Sequence, residues 1–106
     1  MEDCIFCKII NKEIPSLNLY EDDNFIVFKD IKPAAPVHVL IMPKEHINSI
    51  NELEEKHKEL MGEMLLLAKK MAKDLETSDG YKLHFSVGQK GGQTIDHIHL
   101  HLMGGW

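Results

Sequence analysis

The sequence predicts an α+β domain, in which a five-stranded antiparallel sheet is backed by one long helix and preceded by a short N-terminal helix. Three observations predict this fold. Five short segments are rich in β-branched and aromatic residues, most connections between them are short, and one long stretch has apolar residues at helical spacing. The 106 residues fit a single domain over residues 1–106, which buries about two thirds of the unfolded chain's surface.

The first half of the chain is predicted to contain the short helix and three strands. In order, these elements are a helix over residues 4–12 and strands over residues 17–20, 25–29 and 37–42. Pro15 ends the helix, and residues 22–24 form the turn between the first two strands. Residues 30–36 contain two prolines and form an ordered loop before the third strand, which ends at Pro43.

The second half is predicted to contain the long helix and the last two strands. Asn51 is the predicted N-cap, with Glu54 three residues later in an arrangement typical of a capping box. The apolar stripe of this helix comprises Leu53, Leu60, Met61, Met64, Ala68, Met71, Ala72 and Leu75. After it come a turn over residues 78–80, a strand over 81–87, a glycine-rich turn over 88–93 and a strand over 95–103.

Charge and hydropathy exclude two classes of partner. The formal net charge is −5, so we expect no nucleic-acid binding. No segment approaches the roughly 20 apolar residues of a membrane helix, and we expect a cytoplasmic protein without membrane contact. All 12 basic residues are lysines, so a phosphate site here must use backbone amides, hydroxyl groups, histidines or lysine rather than an arginine fork.

Three alternating histidines near the C-terminus give the clearest functional signal. Because strand side chains alternate between faces, His97, His99 and His101 are predicted to share the solvent-side face, about 6.6 Å apart. Such histidines can bind zinc, or one imidazole can attack phosphorus while its neighbours hold the phosphate. Residues 91–94 precede them as a glycine turn with a hydroxyl and an amide, which favours phosphate chemistry.

Cys4 and Cys7 form a C-x-x-C pair at the start of the chain. A structural disulfide is disfavoured in the cytosol, and the strand that precedes a thioredoxin-like redox pair is missing. The pair supplies two of the four ligands of a zinc site, or else two free thiols that pack as small apolar groups.

Residues 91–105 resemble the motif of the histidine triad (HIT) superfamily, and the glycine pair after the triad resembles that of its Hint branch. Residues 4–10, 28–31 and 42–46 resemble further segments of this family in the same order, so the resemblance covers essentially the whole chain. It implies a HIT-like fold and a homodimer whose two sheets join into one. It also implies the hydrolysis of purine nucleoside 5′-phosphoramidates to an amine and a nucleoside monophosphate.

The same resemblance implies roles for individual residues. His99 is the nucleophile that takes up the nucleotidyl group, His101 binds the phosphate and assists the departing amine, and His97 orients the site. Asp30 accepts hydrogen bonds from the ribose hydroxyls. The residues expected around the base are Ile5, Phe6, Ile9, Phe28 and Ile31. Those expected in the phosphate loop are Gly92, Gln93 and Thr94.

The resemblance also completes a zinc site. Family members with this C-x-x-C add the histidine of the Pro-Lys-x-His segment and the first triad histidine, which here are His46 and His97. Cys4, Cys7, His46 and His97 are therefore predicted to bind a structural zinc ion with no open coordination position. Such a site would attach the N-terminal helix to the strand that carries the triad.

One residue departs from the family pattern near the predicted nucleotide site. Ser86 is a predicted nucleotide contact. It stands where the family usually has asparagine, and its shorter side chain lacks an amide donor, so slower turnover is expected. A nucleotide-binding interaction module with little physiological catalysis is therefore the alternative function, and a zinc hydrolase built on the triad is a third. His38, His57 and His84 are assigned to surface or packing roles.

Overall fold

The computed structural model describes residues 4–106. Within this range the elements are α1 (Ile5–Ile10), β1 (Asn18–Glu21), β2 (Phe25–Lys29), β3 (Val37–Pro43), α2 (Lys58–Asp74), β4 (Tyr81–His84) and β5 (Leu100–Gly104). The strands form one antiparallel sheet in the order β1-β2-β3-β5-β4, so the predicted α+β fold is confirmed. No helix among these residues is long and apolar enough to cross a membrane.

The last strand lies inside the sheet and pairs with both β3 and β4. The strand predicted over residues 81–87 ends three residues early, and the strand predicted over 95–103 begins five residues late. The chain leaves the sheet over residues 85–99. There the Ile98 N–H donates to the Ile47 carbonyl at 2.6 Å rather than to a sheet neighbour. β4 and β5 pair antiparallel as consecutive strands, but the glycine-rich turn predicted to join them is only part of a loop over residues 85–99.

The long helix α2 begins at Lys58, so the predicted N-cap at Asn51 is wrong. Ser49 accepts a hydrogen bond from the Asn51 N–H at 3.1 Å and caps a separate short 3-10 turn. A capping box does precede α2, but Glu54 forms it with His57, whose Nδ1 accepts from the Glu54 N–H at 2.9 Å. The sequence predicted a surface or packing role for His57, and the structure places it buried in this capping box.

The apolar face of α2 packs on one side of the sheet. This core comprises Phe25, Val27, Val39, Ile41, Met64, Leu67, Ala68, Met71, Ala72, Leu100 and Leu102. The predicted stripe is confirmed from Leu60 to Leu75, whereas Leu53 precedes the helix. Burial of this continuous apolar surface is the main driving force that holds α2 on the sheet.

The short helix α1 covers part of the opposite side of the sheet. The cluster on this side comprises Cys4, Phe6, Ile9, Ile26, Phe28, Leu40 and Met42. The ring of Phe6 packs edge-on against His97 and His99, with centroid distances of 6.0 and 5.0 Å. Both histidines are buried because α1 covers this part of the sheet, so the predicted solvent-side position is wrong for them, whereas His101 is half-buried.

Candidate functional site

The triad is divided between β5 and the irregular segment that leads into it. His101 lies on β5, whereas His97 and His99 precede the strand. The His97 ring meets the thiols of Cys4 and Cys7. The rings of His99 and His101 contact each other, with their centroids 5.0 Å apart. The three side chains therefore serve two adjacent clusters rather than one continuous strand face.

His99 has one ring nitrogen bound to the backbone and the other left for a ligand. Its Nδ1 lies 2.7 Å from the His97 carbonyl oxygen. Because a carbonyl oxygen can only accept, Nδ1 carries the proton and Nε2 carries the lone pair. Burial lowers the pKa of His99 and keeps the ring neutral near neutral pH. A neutral imidazole with a free Nε2 lone pair is a competent nucleophile.

His38 belongs to this site, so the surface or packing role predicted for it is wrong. Its Nδ1 accepts from the Ala34 N–H at 2.9 Å, which leaves the proton on Nε2. That Nε2–H donates to Nδ1 of His101 at 2.9 Å. His101 therefore carries its own proton on Nε2, where it can donate to a phosphate oxygen.

His84 is exposed on β4 and packs against His101, which agrees with the surface or packing role predicted for it. It lies opposite His101 in the pairing of β4 with β5, and the two rings stack with centroids 4.4 Å apart and an angle of 8°. Burial, followed by the neighbouring imidazoles of His99, His84 and His38, lowers the pKa of His101 to about 4. The strand order brings the rings of His38, His84 and His101 together. In the sequence, the even spacing of His38 from Leu40 and Met42 indicates that the three share one face of β3.

Asp30, His38 and His101 place three ligand-type atoms within 4.8 Å of one another. The hydrogen bonds disfavour a metal at this position. A metal on Nε2 of His38 would displace its proton to Nδ1, which already accepts from the Ala34 N–H. The Nε2 atom instead donates to Nδ1 of His101 at 2.9 Å and lies 3.4 Å from Oδ2 of Asp30, so these two contacts account for the orientation of the His38 ring.

A cavity of about 380 Å³ opens beside His99 and His101. The predicted base-contact residues all line it, namely Ile5, Phe6, Ile9, Phe28 and Ile31. Asp30 and Thr94 line it too. Phe6, Ile9 and Phe28 also belong to the core, whereas Ile31 is 89% exposed at the mouth, where packing does not explain an isoleucine. The structure thus brings an apolar wall, a carboxylate and two imidazoles to one cavity.

The glycine turn leads into Thr94, which lines this cavity, and the polar groups of the turn bind backbone atoms of the protein. The Gly92 N–H donates to the Gln89 carbonyl and the Gln93 N–H to the Gly88 carbonyl. The Gln93 side chain accepts from the Gly88 N–H at 3.0 Å and donates to the carbonyls of Asn48 and Ile95. The roles of Gly92 and Gln93 toward phosphate stay predictions.

Ser86 lies next to this turn. Gly92 has φ of +94°, a left-handed conformation that favours glycine, and a Cβ built there would lie 3.7 Å from Oγ of Ser86. The position where the family usually has asparagine is therefore adjacent to the predicted phosphate loop. The contact of Ser86 with a nucleotide stays a prediction.

Cys4, Cys7, His46 and His97 form a second cluster beneath the cavity, with their ligand atoms within 4.8 Å of one another. Nδ1 of His97 lies 3.5 Å from Sγ of Cys4, and Nδ1 of His46 lies 3.2 Å from Sγ of Cys7. A tetrahedral zinc ion separates bound sulfur and nitrogen atoms by about 3.6 Å. The four residues therefore fit a zinc ion in both chemistry and spacing.

The hydrogen bonds around the two histidines also suit a metal. Nε2 of His97 donates to the Pro43 carbonyl at 2.8 Å, and Nε2 of His46 donates to Oδ1 of Asn48 at 2.7 Å. Both rings therefore direct an Nδ1 lone pair toward the thiols, as metal-binding histidines do. Burial, with the adjacent Cys4, raises the pKa of Cys7 to about 11, so metal uptake must release protons.

Acid is expected to destabilise the protein through His101. Folding lowers the pKa of this ring from 6.5 to about 4, so between these values the unfolded chain binds a proton that the folded chain does not. The free energy of unfolding therefore falls with falling pH, by at most about 3 kcal/mol. Because the ring is partly exposed, solvent screening makes the actual loss smaller. Denaturant titrations at about pH 7.5 and about pH 5 measure this loss. His101→Gln removes the titrating ring and should lose less stability, and equal losses in both proteins would contradict the assignment.

Comparison with known proteins agrees with this geometry. A family model described as "Scavenger mRNA decapping enzyme C-term binding" matches residues 3–105. HitA of Neisseria gonorrhoeae is 45% identical over 104 residues, which cover 98% of this chain and 97% of that protein. A 14 kDa zinc-binding protein of Zea mays is 46% identical over 103 residues, which cover 95% of this chain and 80% of that protein.

Solved structures give the same result. A HIT family hydrolase from Legionella pneumophila superposes with a TM-score of 0.96 at 48% identity, over 98% of this chain and 94% of its own. A second, from Clostridium thermocellum, superposes with a TM-score of 0.97 at 48% identity, over 100% of this chain and 93% of its own. Sequence and fold agree over nearly the full length, and the chain belongs to the histidine triad (HIT) family.

Proposed function

We propose that the protein is a nucleotide-binding hydrolase that cleaves the P–N bond of purine nucleoside 5′-phosphoramidates through a covalent nucleotidyl-His99 intermediate. The products are an amine and a nucleoside monophosphate. The observation that carries the proposal is the free Nε2 lone pair of His99 at a cavity that also contains the His101 ring and the Asp30 carboxylate. The hydrolases among its structural relatives support the general class of reaction.

In the first step, Nε2 of His99 forms a bond to phosphorus, and the P–N bond breaks. The departing nitrogen needs a proton, because an amide anion is a very poor leaving group. His101 is neutral in the free protein, but an anionic phosphate beside it raises its pKa, so the ring takes up a proton when substrate binds. Its Nε2–H then passes to the amine.

Asp30 supports this proton uptake. Once His101 is protonated on both nitrogens, its Nδ1 no longer accepts from the Nε2–H of His38. That proton has an alternative acceptor in Oδ2 of Asp30, 3.4 Å away. In the second step, a water molecule gives a proton to the now neutral His101 and attacks phosphorus, which breaks the bond to His99 and releases the nucleoside monophosphate.

The shape of the cavity supports a purine nucleotide as substrate. Its apolar wall suits the flat face of a base, and Ile31 at the mouth exposes an apolar surface that a base would cover. Asp30 can accept hydrogen bonds from ribose hydroxyls, since an ionised carboxylate has more lone pairs than the Lys32 N–H and the His38 ring occupy. Thr94 adds a hydroxyl near the phosphate end.

Zinc is part of the proposal as a structural ion that Cys4, Cys7, His46 and His97 would bind. With four protein ligands it would supply cross-linking and leave no position for substrate. The thiols of this site need a reducing compartment, which supports a cytoplasmic location. The backbone of His97 would then hold the Nδ1–H of His99 from a fixed position.

We also propose that the chain forms a homodimer through β4. This strand is an edge of the sheet, so its outer backbone groups have no partner among the strands of residues 4–106. Leu83 on β4 and Trp106 beyond β5 are exposed apolar residues near this edge. Pairing of two β4 strands about a twofold axis would join the two sheets and cover the open edge.

Intact-protein mass spectrometry after brief mixing with adenosine 5′-phosphoramidate tests the mechanism. We expect a transient added AMP mass together with released amine, because the nucleotidyl group is carried on a ring nitrogen. Native mass spectrometry of the same samples reports whether the chain is a dimer. Amine release without an adduct, in a protein whose zinc is bound by His99 or His101, would instead favour a zinc hydrolase built on the triad.

A nucleotide-binding interaction module is the second candidate function. The observation that favours it is Ser86, a short side chain without an amide donor at the glycine turn. It predicts that AMP binds while neither adduct nor amine is formed.

A further inference from the structure

Three histidine rings surround His101, and His84 is the one that the proposed chemistry does not use. The ring centroids of His38, His84 and His99 lie 5.2, 4.4 and 5.0 Å from that of His101. His99 is the proposed nucleophile, and His38 donates a hydrogen bond to Nδ1 of His101. His84 makes the closest ring contact of the three and does not line the cavity.

The stack supplies an orientation that the hydrogen bond alone leaves undetermined. The bond from His38 fixes the direction of one ring nitrogen of His101 at 2.9 Å. The ring turns about its Cα–Cβ and Cβ–Cγ bonds, and combined rotation about both can keep Nδ1 near His38 while the other nitrogen, Nε2, changes direction. A parallel contact at an angle of 8° restricts this rotation, because tilting either ring would open the stack. The sheet holds His84 directly opposite His101, so the stack is part of the strand register.

We propose that His84 is a positioning residue, which stacks on His101 and holds the ring plane that directs the His101 Nε2–H toward the phosphate; this rests on the hydrolysis proposed above. His84 acts through His101 and needs no contact with substrate. The stack is expected to raise the rate of the chemical step and to leave nucleotide binding unchanged. If the His101 Nε2–H points in the wrong direction, the apolar wall and Asp30 still bind the nucleotide.

Two variants of His84 distinguish the effect of a flat, stacked ring from the effect of an apolar side chain at this position. His84→Leu removes the stack and keeps an apolar residue suited to a strand, while His84→Phe keeps a flat ring. We expect His84→Leu to lower kcat for adenosine 5′-phosphoramidate roughly tenfold, with KM and the Kd of AMP changed less than about twofold. His84→Phe should retain kcat within about threefold of wild type. Equal kcat in all three proteins, or an equal loss in both variants, would overturn the proposal.

Nuclear magnetic resonance of the His101 ring nitrogens provides a readout that needs no turnover. We expect a single Nε2–H tautomer in the wild type and in His84→Phe. In His84→Leu the ring is looser and its bond to His38 weaker, so a mixture of tautomers is expected. An unchanged His101 signal in His84→Leu overturns the role of His84. A wild type that hydrolyses nothing, with the His101 signal altered in His84→Leu, overturns the proposed function instead.

Discussion

Replacement of His99 by alanine is expected to lower kcat/KM for adenosine 5′-phosphoramidate by a factor of about 10⁴ or more, with AMP still bound. No neighbouring imidazole can substitute for it. Nδ1 of His97 points to the thiols, and its Nε2 donates to Pro43. His101 accepts from His38 at Nδ1 and carries its proton on Nε2. Steady-state kinetics and AMP titration measure the two effects separately.

His99→Asn is the matched control for the shape of the site. Its amide can donate to the His97 carbonyl as the imidazole does, but it has no nucleophilic nitrogen. We expect the same loss of turnover as in the alanine variant, together with unchanged thermal stability. Activity within a few-fold of wild type in either variant would mean that another group attacks phosphorus.

Removal of zinc is expected to have the largest effect on stability. The four ligands come from the N-terminal segment of α1, from the loop after β3 and from the segment before β5, so the ion would join three parts of the chain that are distant in sequence. Chelation should lower the Tm by roughly 10 °C or more. Elemental analysis of the purified protein should give one zinc per chain, and thermal denaturation with and without chelator measures the shift.

The double variant Cys4→Ala and Cys7→Ala is the matched control. It keeps two small apolar side chains in the cluster but has no thiolates, so its Tm should be low and should not change with chelator. Activity should fall together with zinc content. Phe6 on α1 packs against the His99 ring, and the His97 carbonyl accepts from Nδ1 of His99. Loss of zinc would release both α1 and His97, and so disturb the nucleophile. A wild type with the same Tm with and without chelator would contradict a structural metal.

The strands in the first half of the chain were predicted closely. β2 has the predicted bounds, and β3 extends by one residue to Pro43. Both strands have nearly continuous buried apolar sequences, so local pattern and tertiary environment agree. The errors lie where individual hydrogen bonds, one long-range and one local, override the pattern. The Ile98 N–H bonds to Ile47, which delays the start of β5, and Glu54 pairs with His57, which delays the start of α2.

In the site, too, local sequence pattern identified some residues and strand pairing decided the contacts of others. The sequence by itself determined which residue types were available, namely the alternating histidines, the paired cysteines and the apolar residues that line the cavity. Alternation along a short segment depends only on the geometry of neighbouring residues. The placement of β5 between β3 and β4 was decided only by the tertiary structure, and it brought His38 and His84 onto His101. Strand pairing joins residues far apart in the chain, and their contacts depend on a register that no local pattern contains.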